Sequence, residues 1–113
     1  MTSFSQGAVV LVQFVYPDQT GVKLRPALVL STDTYHRGRQ EVILAGITSN
    51  VIRVLVGDTV VQDWQIAGLL APSVVTGILQ TVKQSALSRR LGGLSARDLR
   101  MVEANIRVAI GFR

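Results

Sequence analysis

"VKLRPALVLST", residues 22–32, sets an arginine and a proline directly before an apolar run whose length and composition predict a β-strand. Pro26 has no N–H to donate, so it fits the first residues of a strand or an edge strand. We therefore predict a strand over 25–32 that opens on Arg25. An arginine in that place is either an ordinary surface or salt-bridged residue, or a group aimed at a bound anion.

Further strands are predicted on both sides of this stretch. "GAVVLVQFVY" (7–16) carries apolar residues on both faces, and the Pro, Asp and Gly of 17–24 indicate a loop after it. "EVILAGITSN" (41–50) is a third strand that ends in a hydroxyl-rich corner. Residues 57–61 and 68–82 resemble short strands joined by tight turns. Strands at this spacing predict a small barrel or a strongly twisted sheet.

The last element predicts a helix. Ser95 with Asp98 three residues on is a capping-box pattern in its weaker Asp form, and Gly111 suits the C-terminal stop. The apolar residues of one helical stripe are Leu99, Val102, Ile106, Ala109 and Ile110. Met101 and Val108 lie on the opposite side, either as isolated exposed residues or as a second contact surface for a partner chain.

Length and composition place the chain in a broad class. Its 113 residues predict a single domain over 1–113, and a chain this short often adds an oligomer interface. No apolar stretch approaches the ~20 residues of a membrane span, and the N-terminus has no signal-peptide pattern. With no cysteine there is neither a disulfide framework nor a thiolate. We therefore expect a cytoplasmic protein without membrane contact.

The net charge of +5 is unevenly distributed. Residues 1–82 carry five basic and five acidic side chains, whereas residues 83–113 carry seven basic and two acidic ones. A one-sided basic region attracts polyanions or acidic protein segments, although it is also typical of a plain solvated surface.

Several kinds of chemistry are excluded by residue type. The one histidine, His36, lies in a polar stretch beside two arginines, and we expect it to be a solvated loop residue. The acids are scattered, so no metal site is predicted. "RLGGLS" (90–95) follows no clear strand and matches neither phosphate-loop pattern. We therefore expect no metal and no nucleotide cofactor.

One reaction is compatible with what remains. RNA carries its own nucleophile, the 2′-OH, so an enzyme need only position it and stabilise charge on the phosphate. Arginine suits that second task because it binds two phosphoryl oxygens at once. Arg25 opens the second strand, and Thr48 and Ser49 end the third. If these strands are antiparallel neighbours, the three residues meet on one side of the sheet.

The pattern as a whole resembles the MazF/PemK family of toxin endoribonucleases. The resemblance covers about nine-tenths of the chain, from Gly7 to Phe112. The segments that carry it, in chain order, are "GAVVLVQF", "RPALVLS", "ITSN", "PSVV" and "LSRRLGGLSARDLRMVEANIRVAIGF".

This resemblance implies a mainly β domain with a C-terminal α-helix, a small SH3-like β-barrel assembled as a homodimer. It also implies a toxin of a type II toxin–antitoxin system that cleaves single-stranded RNA, mRNA above all, without metal. The products would carry 2′,3′-cyclic phosphate and 5′-hydroxyl ends. The arginine of the family's R-P motif maps to Arg25, and the threonine of its I-T motif maps to Thr48. A cognate acidic antitoxin would block the RNA groove.

The chain also departs from its relatives. Many carry "R-T-I-D" where this sequence has "Q-T-V-K", so Gln80 and Lys83 replace an arginine and an aspartate. A weakened or inactive member that binds only RNA or antitoxin is therefore an alternative, and a structural or DNA-associated SH3-like domain is another. The candidate RNA contacts are Lys23, Ser49, Asn50, Gln80 and Lys83.

Overall fold

The computed structural model describes residues 4–17, 21 and 23–111. Part of the predicted loop 17–24 therefore lies outside the described residues. The elements are β1 (Ala8–Phe14), β2 (Lys23–Val29), α1 (Asp33–Gly38), β3 (Glu41–Thr48), β4 (Thr59–Val60), β5 (Val74–Lys83), β6 (Arg89–Gly93) and α2 (Ala96–Ile110). The predicted mainly β architecture with a C-terminal helix is confirmed.

The described strands form one antiparallel sheet in the order β4-β5-β3-β2-β1-β6. The segment between β4 and β5 runs back to β6, so it joins the two edges of the curled sheet. Gly68, with φ of 81°, lies so close to β6 that an added Cβ would stand 2.1 Å from the Leu91 carbonyl oxygen. Only glycine fits this close approach of two backbones.

The sheet buries aliphatic side chains on both faces. Val10, Val12 and Phe14 of β1 belong to one buried cluster, as the alternation along the strand predicts. The other cluster lies beneath α2, where Val102 is fully buried. Its members are Val9, Leu28, Ala45, Ile47, Val61, Ala67, Leu69, Val75 and Val102.

Helix α2 begins and ends as predicted, with one correction. The Ser95 hydroxyl accepts from the Asp98 N–H at 3.3 Å, and Gly111 adopts the left-handed conformation that ends the helix. The Asp98 carboxylate, however, does not complete a capping box. It is buried and accepts from the N–H groups of Gln62 and Asp63 at 3.0 and 2.8 Å, so it fastens the segment after β4 to the helix.

Two predictions about the second half of the chain are wrong. Residues 68–82 are not short strands joined by turns, because 74–83 form one ten-residue strand, β5. No strand was predicted at "RLGGLS", yet Arg89–Gly93 form strand β6, paired with β1. Within the described ranges, neither helix offers the length of apolar sequence that a membrane crossing requires.

The ion pair between Asp63 and Arg97 predicts a pH dependence of stability. The Arg97 guanidinium and the Ser95 hydroxyl both donate to the Asp63 carboxylate, and they lower its pKa to about 2. Its contribution to stability is therefore complete above the unfolded-state pKa of about 4 and is lost as the pH falls towards 2.

We expect Asp63→Asn to lower the melting temperature at pH 6 and to make little difference near pH 2. Thermal unfolding of both proteins across this range measures the effect. Glu103→Gln, which removes an exposed carboxylate from α2, the helix that carries Arg97, is the control. A melting temperature of Asp63→Asn that is lowered equally at pH 6 and pH 2 would contradict the stabilising role of this ion pair.

Candidate functional site

The register of β2 on β3 brings Arg25 and Thr48 together. Ala27 pairs with Gly46, and the same antiparallel register continued by two residues sets Arg25 opposite Thr48. Both residues are half-buried and line the same two cavities. The prediction that these strand ends meet on one side of the sheet is confirmed.

The first cavity, which we call the Tyr16 cavity, has a volume of about 390 Å³. It lies between the end of β1 and the loop that follows β3. Its lining residues are Tyr16, Pro17, Arg25, Thr48, Asn50, Arg53, Leu55, Asp58, Thr76 and Ile78. Asn50, one of the candidate RNA contacts, therefore lies beside Arg25.

The second cavity, which we call the Arg89 groove, has a volume of about 690 Å³. Three of its residues are arginines, Arg25, Arg89 and Arg90, and Leu70 at its side is fully exposed. Ser49 lines it as well. Arg25 and Thr48 thus lie between the smaller Tyr16 cavity and the larger Arg89 groove, which carries two further guanidinium groups.

Thr48 also organises the turn that follows β3. Its hydroxyl oxygen accepts from the Asn50 N–H at 3.1 Å, and the Asn50 side-chain oxygen accepts from the Ile52 N–H at 3.2 Å. A hydroxyl that accepts such a bond keeps its own O–H as a donor. The turn therefore leaves Thr48 able to donate to an anion in the cavity.

Asp58 fixes the far end of the same loop. One carboxylate oxygen accepts from the Leu55 N–H at 2.9 Å and the other from the Gly77 N–H at 2.8 Å. The Asp58 carbonyl in turn accepts from the side-chain amide of Asn105 in α2 at 3.2 Å. Residues 49–58 are thus tied to β5 and to α2 while they border Arg25.

The other three candidate RNA contacts lie in different places. Lys23 is exposed two residues before Arg25, on the same side of β2. The Gln80 side-chain oxygen accepts from the Val15 N–H at 3.3 Å, next to Tyr16. Lys83 pairs with Glu41, at the opposite end of β3 from Thr48, roughly 20 Å away by strand rise. The structure therefore does not bring Lys83 to Arg25.

His36 corrects another expectation. Its side chain is 7% exposed rather than solvated, and its Nε2 lies 2.6 Å from the Ser31 hydroxyl. The Ser31 oxygen also accepts from the Ile43 N–H at 2.9 Å. This histidine joins α1 to strand β3 and lines neither of the two cavities that contain Arg25.

Sequence reasoning missed several lining residues, above all Tyr16. Tyr16 is 6% exposed, and the Arg25 guanidinium carbon lies 5.1 Å from the centroid of its ring. The alternation Val10, Val12, Phe14 in β1 continues to Tyr16, and this was the signal that could have found it. Among the described residues, no group of three or more His, Asp or Glu side chains is arranged to hold a metal ion.

Comparison with known proteins identifies the family of the chain. Residues 5–110 match the model of a family described as the PemK-like, MazF-like toxin of type II toxin–antitoxin systems. The chain therefore belongs to the PemK/MazF-like toxin family. A comparison with curated proteins found no significant match.

Solved structures of similar fold include the Mycobacterium tuberculosis toxin MazF-mt6, at 28% identity and a TM-score of 0.76 over 94% of this chain and 98% of that one. An endoribonuclease in complex with its cognate antitoxin, from a mycobacterial species, is 16% identical with a TM-score of 0.79 over 98% of both chains. Deinococcus radiodurans MazF is 19% identical with a TM-score of 0.77 over 99% of this chain and 100% of that one. The last two comparisons concern the fold alone.

The two hydrogen bonds accepted by Asp58 predict how its substitution affects the stability of the loop 49–58. The side-chain amide that Asp58→Asn introduces has one acceptor oxygen, so either the Leu55 or the Gly77 N–H is left facing an N–H₂ group. We expect a loss of about 1–3 kcal/mol in the free energy of unfolding. Amide hydrogen exchange at Leu55 and Gly77 should become faster, whereas exchange at Ile43, bonded to Ser31, should change only as far as global stability does. Unchanged exchange at both Leu55 and Gly77 would contradict the role given to Asp58.

Proposed function

We propose that the protein is the toxin of a type II toxin–antitoxin system and an endoribonuclease that cleaves single-stranded RNA, mRNA above all, without a metal ion. The observation that carries this proposal is the placement of Arg25 beside Thr48 between two cavities. Membership of the PemK/MazF-like family supports the same reading.

In the proposed reaction the RNA supplies the nucleophile. The 2′-oxygen attacks the adjacent phosphorus and loses its proton, the bond from phosphorus to the 5′-oxygen breaks, and the 5′-oxygen gains a proton. The products are a 2′,3′-cyclic phosphate and a 5′-hydroxyl. Arg25 holds two phosphoryl oxygens through its paired N–H groups while charge builds up on them, and the Thr48 hydroxyl donates to the same group.

The chain contributes mainly charge stabilisation rather than proton abstraction. Arginine is a poor base, because a guanidinium is not deprotonated in proteins. Asp58 is the one carboxylate among the described residues that line the two cavities, and backbone N–H groups occupy both of its oxygens. Positioning of the 2′-OH and stabilisation of the phosphate account for rate enhancement without a dedicated base.

The Arg89 groove suits the RNA on either side of the cleaved bond. Arg89 and Arg90 lie beside Arg25 in the same groove, so they can pair with neighbouring phosphates of an extended strand. Lys23 extends the cationic surface along β2. Ser49 and Asn50, in the turn after β3, are placed to contact the phosphate or the unpaired bases beside it.

Substitution of Arg25 tests the proposed reaction. Incubated with a long single-stranded RNA in excess EDTA, the wild type should produce fragments with cyclic phosphate ends. We expect Arg25→Ala to lower the rate by about 10²- to 10³-fold, and Thr48→Ala to lower it less, because each removes a donor to the developing charge.

The matched control is Arg39→Ala. Arg39 also lies over a tyrosine, Tyr35 at 5.6 Å, but at the opposite end of β3, where it binds Glu41. Its loss should leave the cleavage rate unchanged. A wild type that is folded, free of antitoxin and unable to cut RNA would contradict the proposed activity, as would an Arg25→Ala variant as active as the wild type.

The second candidate function is a binding module that has lost cleavage. It is favoured by the position of Lys83, which lies too far from Arg25 to replace the cation that relatives carry in this region. The Gln80 side chain is bonded to the backbone of β1. RNA retained by the wild type without any cut would support this reading.

Two partners follow from the same proposal, a second copy of the chain and an acidic antitoxin. Five large apolar side chains are exposed in residues 51–56, a surface that suits a homodimer contact. The Arg89 groove combines three arginines with an exposed leucine, so it suits an acidic segment with apolar anchors that excludes RNA.

The antitoxin assignment predicts a salt-dependent complex. We expect a short acidic protein encoded beside this gene to inhibit RNA cleavage when it is mixed with the toxin. The double variant Arg89→Ala, Arg90→Ala should bind it at least about tenfold more weakly at low salt, with a smaller difference at high salt, because the paired charges are screened. Isothermal titration at two salt concentrations measures this, with Arg37→Ala, Arg39→Ala as the equally charged control. Equal binding by both double variants would contradict the assignment.

A further inference from the structure

We propose that Tyr16 is a positioning residue for Arg25 and that Gly46 is the residue that makes room for it. The proposal deepens the ribonuclease assignment above and rests on it. Tyr16 lies two residues after the end of β1, beyond the paired part of that strand, and its ring lies under the Arg25 guanidinium at 5.1 Å. An aromatic face attracts a guanidinium and favours a stacked orientation.

The Tyr16 ring is itself held in place by the core. Tyr16 is 6% exposed, and its ring centroid lies 4.9 Å from that of Phe14, which is buried. Phe14 belongs to the cluster of Val10, Val12 and Leu44 inside the curled sheet. The Tyr16 ring under Arg25 therefore packs against the core, so the support of Arg25 does not depend on a mobile surface side chain.

Gly46 supplies the space for this ring. A Cβ at position 46 would lie 2.6 Å from the Tyr16 hydroxyl and 2.7 Å from the Phe14 ring. The φ angle of Gly46 is not positive, so the position excludes side chains for reasons of space rather than of backbone conformation. The Gly46 carbonyl accepts from the Thr76 hydroxyl at 2.7 Å, which fixes the backbone at this point. A side chain at position 46 must therefore displace Tyr16 or Phe14.

The consequence concerns the orientation of the guanidinium. An arginine side chain has many rotamers. The guanidinium makes two parallel hydrogen bonds only when the N–H edge of its plane faces the phosphate. A buried ring beneath the guanidinium removes most of the alternative orientations before RNA binds. The Tyr16 hydroxyl lies against Gly46, and the aromatic face is the part of this residue that lies under the guanidinium.

The test compares Tyr16→Leu, Tyr16→Phe and Gly46→Ala. Cleavage kinetics with a short RNA containing one cut site give kcat and KM. Because a displacement of about 1 Å costs about 10²-fold in rate, we expect Tyr16→Leu and Gly46→Ala to lower kcat by about 10- to 100-fold while KM changes little. Tyr16→Phe should recover most of the kcat lost in Tyr16→Leu, since it keeps the ring. Tyr35→Leu, which removes the ring under Arg39, is the matched control.

A second measurement does not depend on activity. The Arg25 Nε–H signal, assigned by its disappearance in Arg25→Lys, should show a ring-current shift that Tyr16→Phe keeps and Tyr16→Leu loses. If the wild type does not cut RNA, the proposed ribonuclease fails, and this spectrum still decides the positioning role. A kcat of Tyr16→Leu equal to the wild type, equal losses in Tyr16→Phe and Tyr16→Leu, or no ring-current shift in the wild type would each overturn the role of Tyr16.

Discussion

The pairing of β2 with β3 in a single register is the constraint on which the site depends. A slip by one residue turns every side chain of a strand to the opposite face. Both faces of β2 are buried here, since Ala27 and Val29 enter one apolar cluster and Leu28 enters the other. The core therefore fixes the register, and the register sets Arg25 opposite Thr48 where the burial of the two strands ends.

The position of Gly46 links packing to function. The register of β5 on β3 shifts between Ala45, which pairs with Leu79, and Ile47, which pairs with Val75. The irregularity lies where the Tyr16 ring reaches across to β3 and where Thr76 binds the Gly46 carbonyl. Bulges of this kind commonly lie next to active sites, where they redirect a side chain.

The sequence predicted those features that depend on local signals. The Ser95 cap, the left-handed Gly111 and the polar end of β3 at Thr48 each follow from residue types at short spacing. The predicted start of the second strand at Arg25 is wrong by two residues, because β2 begins at Lys23. The excess of basic residues in the last third of the chain was also visible in the sequence, but the partners and positions of these side chains were not. Arg97 pairs with Asp63, whereas Arg89 and Arg90 line the groove beside Arg25.

What the sequence did not reveal depends on contacts between distant residues. Arg89–Gly93 has two glycines and poor strand propensity, yet it forms β6. An added Cβ at Gly92 would stand 2.4 Å from the Ala67 carbonyl, so close packing requires the glycine there. The His36 side chain is only 7% exposed and contacts Ser31, which accepts from the N–H of Ile43, twelve residues further along the chain. Such contacts override local propensity and carry no signal at short spacing.

A structure of the protein bound to an RNA whose nucleophilic 2′-OH is replaced by hydrogen would show whether Arg25 and Thr48 bind the phosphate at the cleavage site. Such an oligonucleotide binds but cannot react, so the phosphate that would be cut remains in place. We expect its oxygens to lie about 3 Å from the Arg25 nitrogens and from the Thr48 hydroxyl, with the strand running along Arg89 and Arg90. An RNA bound on another face of the sheet, with no phosphate at Arg25 and Thr48, would contradict it.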